Sequence, residues 1–259
     1  MFLYPFFLSI FAAANLRFAA TNKRQSMYSL PFIVSPSRCD ENYRLKLFSA
    51  LQMLQDCSEM WLTSEPELLN YFESKGRAQF LAFRQVDVVR IPEIGERLTV
   101  STSIFETNPM FGFRNTFIYD EKHQPCYKTW GVGAFVSRNT GKLTRIEKNI
   151  YENIVFDPKL EMDYCDRHIR KPEGAFAPAL SFNIGHNDID YNHHVNNAQY
   201  VRMALEVLPQ DFTIHRMLIE HRAPVKFGET IQSEILETKD NFYIIQKTKE
   251  KVCTFIAFS

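Results

Sequence analysis

Residues 187–209, N-D-I-D-Y-N-H-H-V-N-N-A-Q-Y-V-R-M-A-L-E-V-L-P, change character halfway along. The first part is polar. The second carries Ala198, Val201, Leu205 and Leu208 at helical spacing, so it predicts a turn leading into an amphipathic helix, Val195 to Leu208, that Pro209 closes. A strand candidate, Leu180 to His186, precedes it. Four more follow, at Arg216 to Val225, Thr230 to Thr238, Phe242 to Lys249 and Val252 to Phe258, each dense in β-branched or aromatic residues and joined by short turns. Neighbouring strands on short loops read as antiparallel, and such a sheet must cover its apolar face, which the amphipathic helix can do.

The same order is written earlier in the chain. A strand candidate from Tyr28 to Val34 leads through a turn containing Ser37, Asp40 and Asn42 into a helix whose stripe is Leu47, Phe48, Leu51, Leu54 and Trp61. Strand candidates then run over Gln79 to Ile91, Arg97 to Glu106, Phe111 to Tyr119 and Cys126 to Val136. Short matches support a duplication: Asp40-Glu41-Asn42-Tyr43 aligns with Asp188-Ile189-Asp190-Tyr191, and Gly95-Glu96 with Gly228-Glu229. The fold class is therefore α+β, two tandem units of one helix wrapped by an antiparallel sheet. Their bounds are 27–148 and 179–259, with a Pro-containing, charged connector at 149–178 and an apolar extension at 1–26.

Composition narrows the function classes. Lys plus Arg and Asp plus Glu both total 30 in 259 residues, so there is no global field to draw the protein onto nucleic acid. Five cysteines without a C-x-x-C spacing argue against a disulfide framework or a thiolate zinc site. Phe2 to Ala14 is too short to span a bilayer and lacks a basic start; it reads first as an upstream extension or mis-assigned start before Met27, and second as a targeting signal. Gly131-Val132-Gly133 sits inside a strand pattern and lacks the third glycine and helix of a dinucleotide site. His186, His193 and His194 have no zinc-motif spacing. No cofactor and no metal are expected.

The polar turn is the place for chemistry. Asp190, Asn192 and His194 alternate, so in an extended turn their side chains project to one side, where a carboxylate, an amide and an imidazole could orient water and move a proton. Backbone N–H groups at a helix start lack intrahelical acceptors, which makes those of Val195 and Asn196 candidates to hold an oxyanion. The plainer alternative is that Asp190 and Asn192 only form and cap the turn. In the alignment above, the first unit places Asn42, Arg44 and Lys46 opposite the trio, so the turn alone does not call for it.

The run D-x-N-x-H-V-N-N-x-x-Y, Asp190 to Tyr200, resembles the motif of the acyl-acyl carrier protein thioesterases of plants and bacteria. Ser37 to Leu54, Arg90 to Leu98 and Phe135 to Ile146 resemble first-domain segments of the same family. The resemblance implies a double hotdog fold, a cytoplasmic or plastid setting in fatty acid synthesis, acyl carrier protein as partner, and release of free fatty acid from its thioester. Carried over by position, it marks Asp190, Asn192 and His194 as catalytic. One departure stands out: Pro224 and Val225 occupy the strand positions where members carry a glutamate, in plants followed by cysteine, which excludes a cysteine nucleophile there. Glu220 and His221 are the nearest auxiliary candidates, with the solvent face of a strand as the alternative for both. Arg202, Arg216, Arg222 and Lys226 are candidates to dock an acidic carrier. A coenzyme A thioesterase and a non-catalytic acyl-binding protein are the competing functions. A homodimer is compatible with the sequence, and chain-length preference is not legible in it.

Overall fold

The computed structural model describes residues 27–151 and 156–259. The extension 1–26 lies outside the described residues.

Ten antiparallel strands form one sheet. The first half supplies β1 (Tyr28–Ile33), β2 (Arg77–Val88), β3 (Arg97–Thr107), β4 (Phe111–Tyr119) and β5 (Pro125–Ser137), and the second supplies β6 (Ala177–Asn183), β7 (Arg216–His221), β8 (Thr230–Glu237), β9 (Phe242–Lys247) and β10 (Val252–Phe258). Their order is β1-β3-β4-β5-β2-β7-β10-β9-β8-β6, so two five-stranded halves meet at a seam between β2 and β7. The seam register pairs Phe83 with Glu220, Arg84 with Ile219 and Val86 with Met217. Residues directly opposite share a face, so Arg84, Val86, Met217 and Ile219 look inward and Phe83 and Glu220 outward.

Helix α1 (Leu47–Thr63) covers the inner face of the first half, followed by a short α2 (Pro66–Ser74) that begins on Pro66, a favoured first-turn residue. The connector begins near α3 (Lys148–Tyr151), and α4 (Asn197–Leu205) covers the second half. Helices α1 and α4 share one core: Leu51, Met53 and Leu54 of α1, Val201 and Met203 of α4, and Val86, Met217, Ile219 and Ile256 from the sheet are almost fully buried together. A buried polar chain fixes α4 on the sheet, Thr254 Oγ1 donating to Gln246 Oε1 (2.7 Å) and Gln246 Nε2 to the Tyr200 carbonyl (2.9 Å).

The outer face is covered by the connector. Met162, Tyr164, Ile169 and Phe176 pack on Phe83, Trp130, Val132 and Phe255. Buried Gln85 ties it down, its amide donating to the Asp163 carbonyl (2.6 Å) and its Oε1 accepting from Trp130 Nε1 (2.7 Å) and Cys165 N–H (2.8 Å). Asn115 does the same with Leu160 N–H and Tyr164 Oη, both at 3.0 Å. Such satisfied amides hold an irregular strand where its own backbone has no ladder partner.

Several sequence expectations shift: the helix expected over Val195 to Leu208 runs only from Asn197 to Leu205, and the strand expected over Leu180 to His186 runs from Ala177 to Asn183. β7 ends at His221 rather than Val225, because Arg222 and Ala223 N–H both turn onto the Cys253 carbonyl and Pro224 has no N–H to continue a ladder. The internal alignment is two residues out of register: Tyr43 and His193 both have φ 61°, and the bridges Cys39–Leu45 and Ile189–Val195 enclose equivalent turns. The true counterparts of Asp190, Asn192 and His194 are therefore Asp40, Asn42 and Arg44, and not Asn42, Arg44 and Lys46. The shared Asp-x-(Asn/Asp)-Tyr letters pulled the sequences past the positions that share backbone geometry.

Candidate active site

The turn between Ile189 and Val195 is built by its own aspartate. Asp190 N–H donates to the His194 carbonyl (2.9 Å), His193 N–H to the Asp190 carbonyl (3.0 Å), and Asn192 N–H to Asp190 Oδ1 (2.8 Å). In the first half Asn42 N–H bonds Asp40 Oδ1 at 2.9 Å in the same manner. Asp190 and Asn192 thus share a turn-forming role with their counterparts. What the second half adds is His194, where the first has Arg44.

The start of α4 presses on the loop after β7. Val195 N–H donates to the Val225 carbonyl (2.8 Å) and Asn196 N–H to the Asp188 carbonyl (2.9 Å), so neither donor expected to hold an oxyanion is free. Asn196 is the helix N-cap, its Oδ1 accepting from Ala198 N–H at 2.9 Å. That leaves Asn197 N–H as the first-turn donor with no acceptor among the described residues. Tyr200 accepts Val225 N–H on its Oη (3.1 Å), locking the Pro224-Val225 segment against the helix.

His194 is half-buried, its ring edge-on to Phe80 of β2 with centroids 6.2 Å apart. Its Nδ1 is buried without a hydrogen-bond partner among the described residues. Burial holds the imidazole below the ordinary histidine range; Asp190 pulls it back up, and Lys226, His193 and Lys251 push it down. The result at neutral pH is an uncharged imidazole, able to accept a proton.

The first half reaches this turn. Tyr191 Oη donates to Glu59 Oε2 of α1 (2.9 Å), and Gln55 Nε2 donates to Glu59 Oε1 (2.7 Å). Burial raises the Glu59 carboxyl, and these two donors lower it.

The two auxiliary candidates part ways by strand alternation. Glu220 lies on the outer face, where its carboxylate accepts from Ile169 N–H (2.6 Å) and from Arg222 Nε and Nη2 (3.0 and 2.8 Å); it anchors the connector, away from the turn. His221 lies inward, 5.6 Å from the Tyr200 ring, and burial and then Arg84 push it down to about 3, so it stays neutral. Of the basic candidates, Arg216 pairs with Asp87 and Asp163 and Arg222 with Glu220, both on the outer face, while Arg202 pairs with Asp188. Lys226 remains beside the turn, joined by Lys251, which the sequence reading did not single out.

A cleft of about 330 Å³ lies on the outer face, lined by Cys165, His168, Arg216 and Tyr243, and takes no part in the turn. Burial raises the Cys57 thiol to about 12 and Cys126 to about 11, and raises Cys165 and Cys253 as well, so none of these four is poised for attack. Among the described residues no three His, Cys, Asp or Glu side chains cluster as metal ligands would, and no helix is long and apolar enough to cross a membrane.

Family models for the acyl-ACP thioesterase N-terminal and C-terminal domains match residues 25–154 and 177–255, the second containing the turn, Tyr200 and His221. The chain belongs to the acyl-ACP thioesterase family. A chloroplastic acyl-[acyl-carrier-protein] hydrolase of Cuphea viscosissima is 25% identical over 132 residues, 49% of this chain and 32% of that protein, so the match spans about a third of the relative's length. Solved structures share the fold of this thioesterase family member. An oleoyl thioesterase (putative) from Lactobacillus plantarum superposes with TM-score 0.78 at 20% identity, covering 90% of this chain and 95% of the other. An acyl-ACP thioesterase from Bacteroides thetaiotaomicron gives 0.78 at 20%, covering 90% and 97%, and the 12:0-ACP thioesterase from Umbellularia californica gives 0.76 at 14%, covering 92% and 98%. The fold is thus the double hotdog, with its two halves in one sheet.

Proposed function

We propose that this member of the family hydrolyses fatty acyl thioesters of acyl carrier protein, releasing the free acid, with His194 as the base. The observation that carries this is a half-buried imidazole, kept neutral by its burial, beside the Asp190 carboxylate at the start of α4. A water oxygen attacks the thioester carbonyl carbon while its proton passes to His194; Asp190 stabilises the imidazolium that forms. In this reading Asn197 N–H and the Asn192 side-chain amide receive the developing oxyanion. Collapse breaks the C–S bond, and the proton on His194 goes to the departing thiolate.

Lys226 and Lys251 supply the local positive charge that an acidic carrier would meet at this end of the molecule. The test is free-thiol release from acyl carrier protein and coenzyme A thioesters of one acyl group. Faster turnover of the carrier protein ester, abolished in His194→Ala, supports the reading. Preference for the coenzyme A ester makes the protein a coenzyme A thioesterase. Bound acyl ligand without turnover makes it an acyl-binding protein.

A further inference from the structure

One row of residues on the inner face of the sheet carries charge. Ile219, Arg84, Gly131 and Arg114 stand opposite one another across β7, β2, β5 and β4. Gly131 puts no side chain between the two guanidinium groups. Arg114 is well housed: Nη1 donates to the Ser58 carbonyl (3.3 Å) and Thr102 Oγ1 (3.1 Å), and the guanidinium lies over the Trp61 ring, 4.3 Å from its centroid.

Arg84 is not. It is 8% exposed, yet its guanidinium has no hydrogen-bond or ion-pair partner among the described residues. The nearby carboxylate is Glu59, next in α1 to the Ser58 that receives Arg114, and both Glu59 oxygens are already engaged by Gln55 and Tyr191. His221, two residues beyond Ile219 and on the same face, is kept neutral by burial. The carboxylate nearest in charge to Arg84 is thus already committed, and the neighbouring Arg114 adds like charge. None of the Arg84 nitrogens is both sealed from solvent and unpaired, so the guanidinium keeps a little solvent contact; an alkyl chain that displaced this solvent would leave an interior cation without an acceptor, which is costly. An oxygen acceptor on the ligand would relieve it.

We propose that Arg84 is a substrate-binding residue, and that the acyl groups this site takes carry an oxygen acceptor on the chain: a hydroxyl, an oxo or a carboxylate group. The inference rests on the thioesterase reading above and specifies its substrate class. Arg rather than Lys suits the role, since its planar fork can meet a carboxylate or carbonyl with two donors.

The experiment compares octanoyl, β-hydroxyoctanoyl, β-oxooctanoyl and suberyl thioesters on one carrier with wild type, Arg84→Met and Arg84→Lys. Wild type is expected to favour at least one oxygenated ester over octanoyl by about tenfold or more in kcat/KM, because a site built for a polar group discriminates strongly against its absence. Arg84→Met should reverse that ratio and Arg84→Lys should reduce it, the lysine variant serving if the methionine one does not fold. An octanoyl preference in wild type, or an unchanged ratio in the variants, overturns the proposal. Thermal shifts with the free acids form a separate arm. If wild type cleaves no thioester, the hydrolysis reading fails, while a larger shift from suberate or β-hydroxyoctanoate than from octanoate, lost in Arg84→Met, still supports Arg84 as a binding residue. Equal shifts overturn it.

Discussion

Tyr191 and Glu59, 132 residues apart, meet at 2.9 Å, so the turn that carries Asp190 and His194 is tethered to the first helix of the other half. The equivalent of Tyr191 in the first half is Glu41, so the turn itself does not require a tyrosine. Tyr191→Phe and Glu59→Gln should each lower kcat about tenfold with KM little changed, because they loosen the base without touching the ester. The expected cost in stability is about 1 kcal/mol, typical of one partly exposed hydrogen bond. Equal effects on kcat and on unfolding midpoint across several conservative variants at Glu59 would argue for a purely structural tether.

The duplicated turn provides an internal control. Asp190→Ala and Asp40→Ala remove the same backbone acceptor and should each cost about 1 kcal/mol in chemical denaturation. Only Asp190→Ala should abolish thiol release. Loss of activity in Asp40→Ala with intact folding would overturn the assignment of chemistry to the second half.

The pH profile follows from His194. Its depressed pKa means the base form persists below neutrality, so kcat/KM should fall with acid around a midpoint below about 6.5, the unperturbed value, and stay flat above it. Asp190→Asn keeps an acceptor for the turn but removes the charge that raises His194, so residual activity should show a midpoint lower still. A midpoint above that of free histidine would contradict the burial of this ring.

His221 governs acid stability. The folded state holds it neutral down to about 3, whereas the unfolded chain takes a proton near about 6.5. Between those values the unfolded state binds more protons, so stability is full above the upper one and is lost progressively as pH falls toward the lower. His221→Phe should flatten this decline in a pH series of unfolding midpoints.

Glu220 tests the two faces of β7. Glu220→Gln weakens the hold on Ile169 and Arg222, and should destabilise the fold by about 1–2 kcal/mol while leaving kcat near wild type. A large fall in kcat would bring this carboxylate back into the chemistry.

Much of the architecture was legible because strand and helix periods are local properties. β4 and β10 begin and end as the pattern predicts, and α1 extends only two residues past Trp61. The site was legible only as a segment. Glu59 and Phe80 lie far from the turn in the chain and reach Tyr191 and His194 through the path of α1 and of β2, neither of which leaves a periodic trace. The solvent-face alternative for both Glu220 and His221 fails because adjacent strand residues take opposite faces and both faces here are covered, one by the helices and one by the connector. Availability of N–H donors was misjudged at Val195 and Asn196 because their acceptors, Val225 and Asp188, come from loops that no helix rule anticipates.

The seam itself bears on how the polypeptide can be cut. Five residue pairs join β2 to β7, and severing the connector would leave each fragment with a bare strand edge of the kind that recruits other strands. Fragments made separately would be prone to stick to themselves, but mixed during refolding they have a matched edge to close on. Catalysis would return only with that closure, since Glu59 and Arg84 travel with one piece and Tyr191 and His194 with the other.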